Sequence, residues 1–413
     1  MRAPSSLFVA LAACACALGA APACGDPISV PTDGDSTIAS GFGGAPPSTS
    51  SFGGGGGPGQ GGAGGIDGEG GSLPPVGVGL VANPLRDGES LTPAQERARE
   101  VEAAASTFAI GGSVFATKRT WRAASEATFL QDAQLAAAGC PSPDCRPAVL
   151  TLAVVDGLLD GRPEALGGEP WSSEASFDAM DESIDAAMNA LGPILTFLAI
   201  GARVDRWLEE HEDDAGDLEA LLAHAVERAR DHPSAREDLL VGIGLSREGA
   251  LSTTVPATDL RAIGNATMVS LFPGLHDVAD STVVPSPGSI ALDLDAIDDV
   301  DPGRPVALIE VGYPSSEEVG ADDEAQGLFF DALFGALATR RESFPLVVVS
   351  RLHDLGAAAC AAEGLGLDEE EELVLAYRCS TGVRDDSGQA KPAWASFVVG
   401  AAQLASGATP VGP

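Results

Sequence analysis

Positive charge is scarce in this 413-residue chain, where 23 Lys and Arg stand against 60 Asp and Glu, for a formal net charge of −37. Phosphate contacts need clustered cations, so a nucleic-acid partner is excluded. Aromatic residues make up only 5% of the chain, with two Tyr and four Trp, which argues against a site furnished with many aromatic sugar platforms. Cofactor and metal signatures are missing as well. No Gly-Lys-Ser/Thr follows the glycine run at 53–57, and the acidic runs at 209–214, 293–301 and 368–372 lack the spaced ligands and glycine of an EF-hand. No cofactor and no metal are therefore expected.

What is present is 45% hydrophobic residues against 20% charged ones, enough for a large core. Arg2 precedes an apolar, Ala-rich run that ends in Ala21-Pro22-Ala23-Cys24, the layout of an export signal. The run is too short to span a membrane comfortably. It resembles a lipoprotein signal, with residues 1–23 removed and Cys24 lipidated, which implies a cell-envelope protein at the outer membrane or cell surface. An ordinary cleaved signal and a secreted product is the alternative. Residues 24–75 are rich in Gly, Ser and Pro; such a segment buries too little side chain to offset its ordering entropy and reads as a flexible tether.

Once the signal cysteines and Cys24 are set aside, Cys140 with Cys145 and Cys360 with Cys379 remain. An even remainder in an exported chain suits two disulfides. Metal binding is the other possibility, but neither pair has His at ligand spacing.

From residue 76 to 413, short β-branched or apolar runs alternate with longer amphipathic stretches, the pattern of repeated βα units. The runs lie at 76–81, 113–117, 148–155, 194–201, 239–245, 267–272, 305–311 and 346–350, with helices predicted at 93–105, 177–191, 215–231, 324–341 and 393–404. Eight units predict a (β/α)8 TIM barrel. A doubly wound sheet is the runner-up, yet the first turn reads Ala82-Asn83-Pro84-Leu85 rather than the glycine-rich turn that fold uses. In a barrel the chemistry belongs at the C-terminal strand ends: Asp156, Gly201 to Asp205, Glu310 to Tyr313, and His353-Asp354. Glu310 stands out, because an ionisable residue inside Val306-Ala307-Leu308-Ile309-Glu310-Val311 is rarely buried unless paired.

These strand ends resemble those of clan A glycoside hydrolases, near the bacterial relatives of endo-β-1,4-galactanases. The likeness is carried by Ile309-Glu310-Val311-Gly312-Tyr313-Pro314-Ser315-Ser316, by Arg351-Leu352-His353-Asp354-Leu355, by Ser380-Thr381-Gly382-Val383-Arg384-Asp385 with Lys391-Pro392-Ala393-Trp394, and by the strand leading to Asp156. The resemblance implies that Glu310 is the nucleophile. It also implies an Asn-Glu pair on strand four, with the Glu as acid/base, but Ala202 and Arg203 stand there. A retaining glycosidase needs two carboxyl groups about 5 to 5.5 Å apart, and a guanidinium can neither donate a proton on demand nor accept one. The Tyr of strand six and the Trp of strand eight are also replaced, by Leu271-Phe272-Pro273 and Val349-Ser350-Arg351. Asp156, Asp205, Tyr313, His353 and Trp121 complete the substrate-binding candidates, Asp205 with a capping role as its bland reading.

Three functions follow as expectations: an impaired barrel that binds glycan or polysaccharide or serves as a scaffold, an atypical retaining β-glycosidase using Glu310, and a non-carbohydrate structural protein of the surface. The membrane partner is the lipid anchor alone. Arg203 and Glu310 are expected to pair directly across the barrel mouth.

Overall fold

Hydrophobic alternation and β-branched runs place eight parallel strands close to where the sequence predicts them. The computed structural model describes residues 75–83, 92–138, 147–276, 284–363 and 372–406; Cys24, the tether and the Cys140–Cys145 pair lie outside them. The strands are β1 (Gly77–Leu80), β2 (Phe115–Thr120), β3 (Ala148–Asp156), β4 (Leu195–Ala202), β5 (Leu240–Ser246), β6 (Thr267–Leu271), β7 (Val306–Val311) and β8 (Leu346–Val349). Each pairs with its sequence neighbour, and β8 pairs back to β1, from Gly77 opposite Leu346 to Leu80 opposite Val349. The β1–β2 seam is thinner. It consists of a bridge between Val81 and Ala116, of Ser113 and Val114 N–H groups donating to the Val78 carbonyl at 2.7 and 3.1 Å, and of the Val78 N–H donating to Ser113 Oγ at 2.8 Å. This is a (β/α)8 barrel, not a doubly wound sheet.

Alternate residues point to the axis, and their identities explain why the interior fills without a pore. Val114, Ala116, Val149, Phe197, Ala199, Met268, Ala307, Ile309, Leu346 and Val348 form one inner cluster, small residues facing large ones. The outward faces pack under the helices, where Phe329, Phe330, Phe334 and Phe397 form the largest aromatic group. Helices start where the chain supplies caps. Thr92 and Gln95 make a reciprocal capping box before Pro93–Ala109, and Asp322 accepts from Ala325 N–H before Asp323–Ala338. Among the described residues no helix is long and apolar enough to cross a membrane.

A short helix, Ala357–Glu363, and a second, Glu372–Cys379, follow β8 and are joined by the Cys360–Cys379 disulfide. The bond closes a loop with a sequence separation of 19. Constraining a loop of this length in the unfolded chain stabilises by about 3 kcal/mol. The double variant Cys360→Ser/Cys379→Ser is therefore expected to lose about 3 kcal/mol of unfolding free energy in a denaturant titration, and an unchanged midpoint would show the bond to be energetically idle.

Candidate active site

Strict alternation along β7 would send Ile309 inward and Glu310 outward. The ladder contradicts it: Val269 pairs with Leu308 but Ser270 pairs with Glu310, and on the other side Leu308 and Val311 pair with Val347 and Val349. One extra residue is thus accommodated in β7, and this bulge re-aims the Glu310 carboxylate into the barrel mouth. A similar irregularity between Leu152 and Asp156 on β3 brings Asp156 to the same mouth. Lys118 needs no such device, since it continues the inward series Val114, Ala116 on β2.

At the end of β4 the chain turns through Gly201 at φ 77° into Arg203 at φ 53° and ψ 45°, and Arg203 is the N-cap of the helix Val204–Glu210. Among the described residues, Arg203 alone of the non-glycine residues has positive φ. The left-handed region costs an L-residue with a side chain roughly 1 to 2 kcal/mol. What holds it there is the guanidinium, whose Nη2 donates to Asp156 Oδ1 at 2.7 Å. Gly157 makes room for that group, because a Cβ at this position would lie 3.3 Å from Arg203 Cζ.

The expected direct pair of Arg203 with Glu310 is therefore replaced by a relay. Arg203 binds Asp156, Lys118 Nζ lies 2.8 Å from Asp156 Oδ2, and the same ammonium donates to Glu310 Oε1 at 2.7 Å. Ser270 Oγ donates to Glu310 Oε2 at 3.1 Å. The physical reason is proximity: Asp156 sits next to Arg203 and satisfies it first, leaving Lys118 to serve Glu310. Burial opposes ionisation of Asp156, but Lys118, Arg203 and Arg378 outweigh it and hold the carboxyl far below the ordinary range. Burial likewise works against the Arg203 charge, and Asp156 and Glu310 reverse it, so the guanidinium holds its proton more tightly than usual.

The other predicted residues are buried and engaged by protein groups. Asp205 is buried and accepts from Ser246 N–H at 2.7 Å and from Ser246 Oγ, tying the end of β4 to the end of β5; burial raises its pKa. Tyr313 is 2% exposed, stacks on Phe329 and donates its hydroxyl to the Pro285 carbonyl at 2.9 Å. Trp121 is 1% exposed, its indole N–H donating to Ser183 Oγ at 3.1 Å, so it is core rather than platform. His353 Nδ1 lies 3.0 Å from the Asn83 carbonyl, which can only accept, so this nitrogen carries the proton; burial lowers the His353 pKa. Asn83 Oδ1 also accepts from the Leu352 and His353 N–H groups, which pins β8 to β1.

The strings that carry the family resemblance meet at one wall of the mouth. Lys391 Nζ donates to both Asp354 oxygens at 2.9 and 2.8 Å and to Ser315 Oγ at 2.8 Å, and Arg384 lies over the Trp394 ring at 3.8 Å. Burial pushes Asp354 up to about 6 in spite of Lys391. Sequence reasoning missed Lys118 and Arg378. Lys118 had a signal, the period-2 pattern of 114–118 continued one step past the predicted strand end; Arg378 had none.

A cleft of about 500 Å³ remains at the C-terminal strand ends, lined among others by Lys118, Asp156, Arg203, Phe272, Glu310 and Ser350. No protein-family model matches the chain, and no curated protein matches it significantly. Solved structures do. A GH5_18 variant from Streptomyces cattleya in complex with Manβ1-4GlcNAc superposes with a TM-score of 0.60 at 17% identity over 80% of each chain. GH5_18 from Bifidobacterium longum gives 0.60 at 18% identity, covering 82% of this chain and 81% of that one. An exo-β-1,4-mannosidase from an Opitutaceae bacterium gives 0.58 at 14% identity, over 80% of this chain and 60% of its own. The chain thus has a glycoside-hydrolase-like barrel fold, with clan A enzymes as its structural neighbours.

Asp156 binds a proton more weakly folded than unfolded, so its stabilisation is present above about pH 4 and is lost as the pH falls. Asp156→Asn is expected to lower stability at neutral pH by about 3 to 5 kcal/mol, because it strands Arg203. It should also flatten the acid decline, as read from urea titrations between about pH 7 and pH 3. A variant with the parent's acid limb would show that another carboxylate dominates it.

Proposed function

We propose that this barrel has given up glycoside turnover and keeps its cleft for glycan binding, presented at the cell envelope by the lipidated tether that the N-terminal sequence suggests. The relay Arg203–Asp156–Lys118–Glu310 carries this reading. A retaining mechanism requires a neutral carboxylic acid to protonate the leaving oxygen and a free carboxylate to attack. At the acid position stands a guanidinium, and the nearest carboxyl, Asp156, is held ionised by two cations. Glu310 has one oxygen engaged by Lys118 and the other by Ser270. The same contacts favour a second reading, since a carboxylate oriented by Ser270 in an open cleft could still attack a substrate whose leaving group needs no proton.

Activated aryl glycosides and natural oligosaccharides separate the two. The proposal expects no hydrolysis of either, with measurable binding of a glycan. Turnover of the aryl glycoside alone, abolished by Glu310→Gln, would establish Glu310 as a nucleophile working without an acid; turnover of both would overturn the proposal. The double variant Ala202→Asn/Arg203→Glu restores the pair that the resemblance expects. It is expected to remain below about 1% of ordinary glycosidase turnover, because general acid–base catalysis contributes roughly 10² to 10⁴-fold only when the substrate is correctly seated and the strand-six and strand-eight platforms are replaced.

A further inference from the structure

Resting on the glycan-binding reading, we infer that the cleft takes an anionic glycan whose acidic group is seated against Arg203. A side chamber of about 120 Å³ adjoins the main cleft, and the two share Asp156, Arg203, Leu275 and Arg378 among their walls. Among the described residues, Arg203, Arg206, Arg378 and His276 line this chamber together with Asp156. Arg206 is paired with Glu209, His276 lies 3.4 Å from Glu248, and Arg378 is close enough to help depress Asp156. Lys and Arg are scarce in this chain, 23 against 60 acids, and three of its arginines meet at this one chamber.

Two buried polar atoms point to what is missing. Arg203 is 6% exposed, and its Nε has no hydrogen-bond partner among the described residues. Ser350, 7% exposed and lining the main cleft, leaves its Oγ likewise without a partner there. A buried guanidinium N–H left unpaired is costly, and it can be satisfied only by an acceptor. A carboxylate or sulfate oxygen is the strongest acceptor for it, because charge-assisted bonds to guanidinium are about twice as strong as neutral ones. Gly157 lines the chamber beside the guanidinium, where a Cβ would lie 3.4 Å from Nη2 and 3.7 Å from Nε. The position at which the resemblance expects the acid thus carries Arg203, and the stretch where it expects Trp, Val349-Ser350-Arg351, includes Ser350, so donors occupy this part of the mouth.

Calorimetric titration at about 0.15 M salt, where charges beyond about 8 Å are screened, tests this with matched ligand pairs. Trigalacturonate is compared with its methyl ester, and a sulfated galacto-oligosaccharide with its unsulfated parent. The acidic member of at least one pair should bind about tenfold or more tightly than its neutral partner, as expected for one hydrogen bond to a charged group. Preference within the uronate pair alone assigns a carboxylate, and within the sulfate pair alone a sulfate. Arg203→Gln should abolish the preference; should that variant fail to fold, Arg378→Gln, which removes one chamber charge, should reduce it. Equal binding within both pairs overturns the anion inference and leaves glycan binding standing. Cleavage of a neutral glycan overturns the turnover-free reading without touching the preference, and no binding of any of the four ligands overturns both.

Discussion

The carboxylate of Asp156, held between the ammonium of Lys118 and the guanidinium of Arg203, fixes the character of the whole barrel mouth. Lys118 has Glu310 as a second partner, but Arg203 could not be buried there without Asp156, because an uncompensated charge in a low-dielectric site costs several kcal/mol. Once it is in place, three strands are joined by charge as well as by their ladders: β2 through Lys118, β3 through Asp156, and the end of β4 through Arg203. Glu310 on β7 is drawn in by the same ammonium. The left-handed backbone of Arg203 is tolerated because the side chain it delivers is over-determined at its far end.

The fold was legible because a barrel repeats a simple signal eight times. Each predicted apolar run overlaps an observed strand, and 215–231 coincides with the helix Ala215–Asp231. Residue directions at the site were less legible. Alternation alone gives Glu310 the wrong face, and only the bulge in β7 corrects it, a feature of pairing between strands that no single strand encodes. Lys118 was readable in principle, from a period that runs on past Thr117. The partner of Arg203 was not, since choosing between Asp156 and Glu310 depends on a few ångströms of separation across the mouth.

The resemblance to clan A glycoside hydrolases holds at the level of the barrel scaffold. Its most recognisable strings, around Tyr313, Asp354 and Lys391, lock the loops after β7 and β8 together through buried contacts: Tyr313 to Pro285, Lys391 to Asp354 and Ser315. Such contacts persist whether or not a substrate is turned over, which is why a familiar sequence pattern can surround an unfamiliar centre. The pattern is broken at Ala202 and Arg203 and across Val349-Ser350-Arg351.

The seam between β1 and β2 has a consequence for motion. Other neighbouring strands share ladders, whereas this pair is joined by one bridge and three hydrogen bonds around Val78. Local opening follows the least protected junction, so the barrel breathes there first, as a ring does at its clasp. The residues beside the clasp are Val81 and Asn83, and both line the cleft. An opening of this seam would widen the mouth, and a ligand that bridges Asn83 to the opposite wall would oppose it.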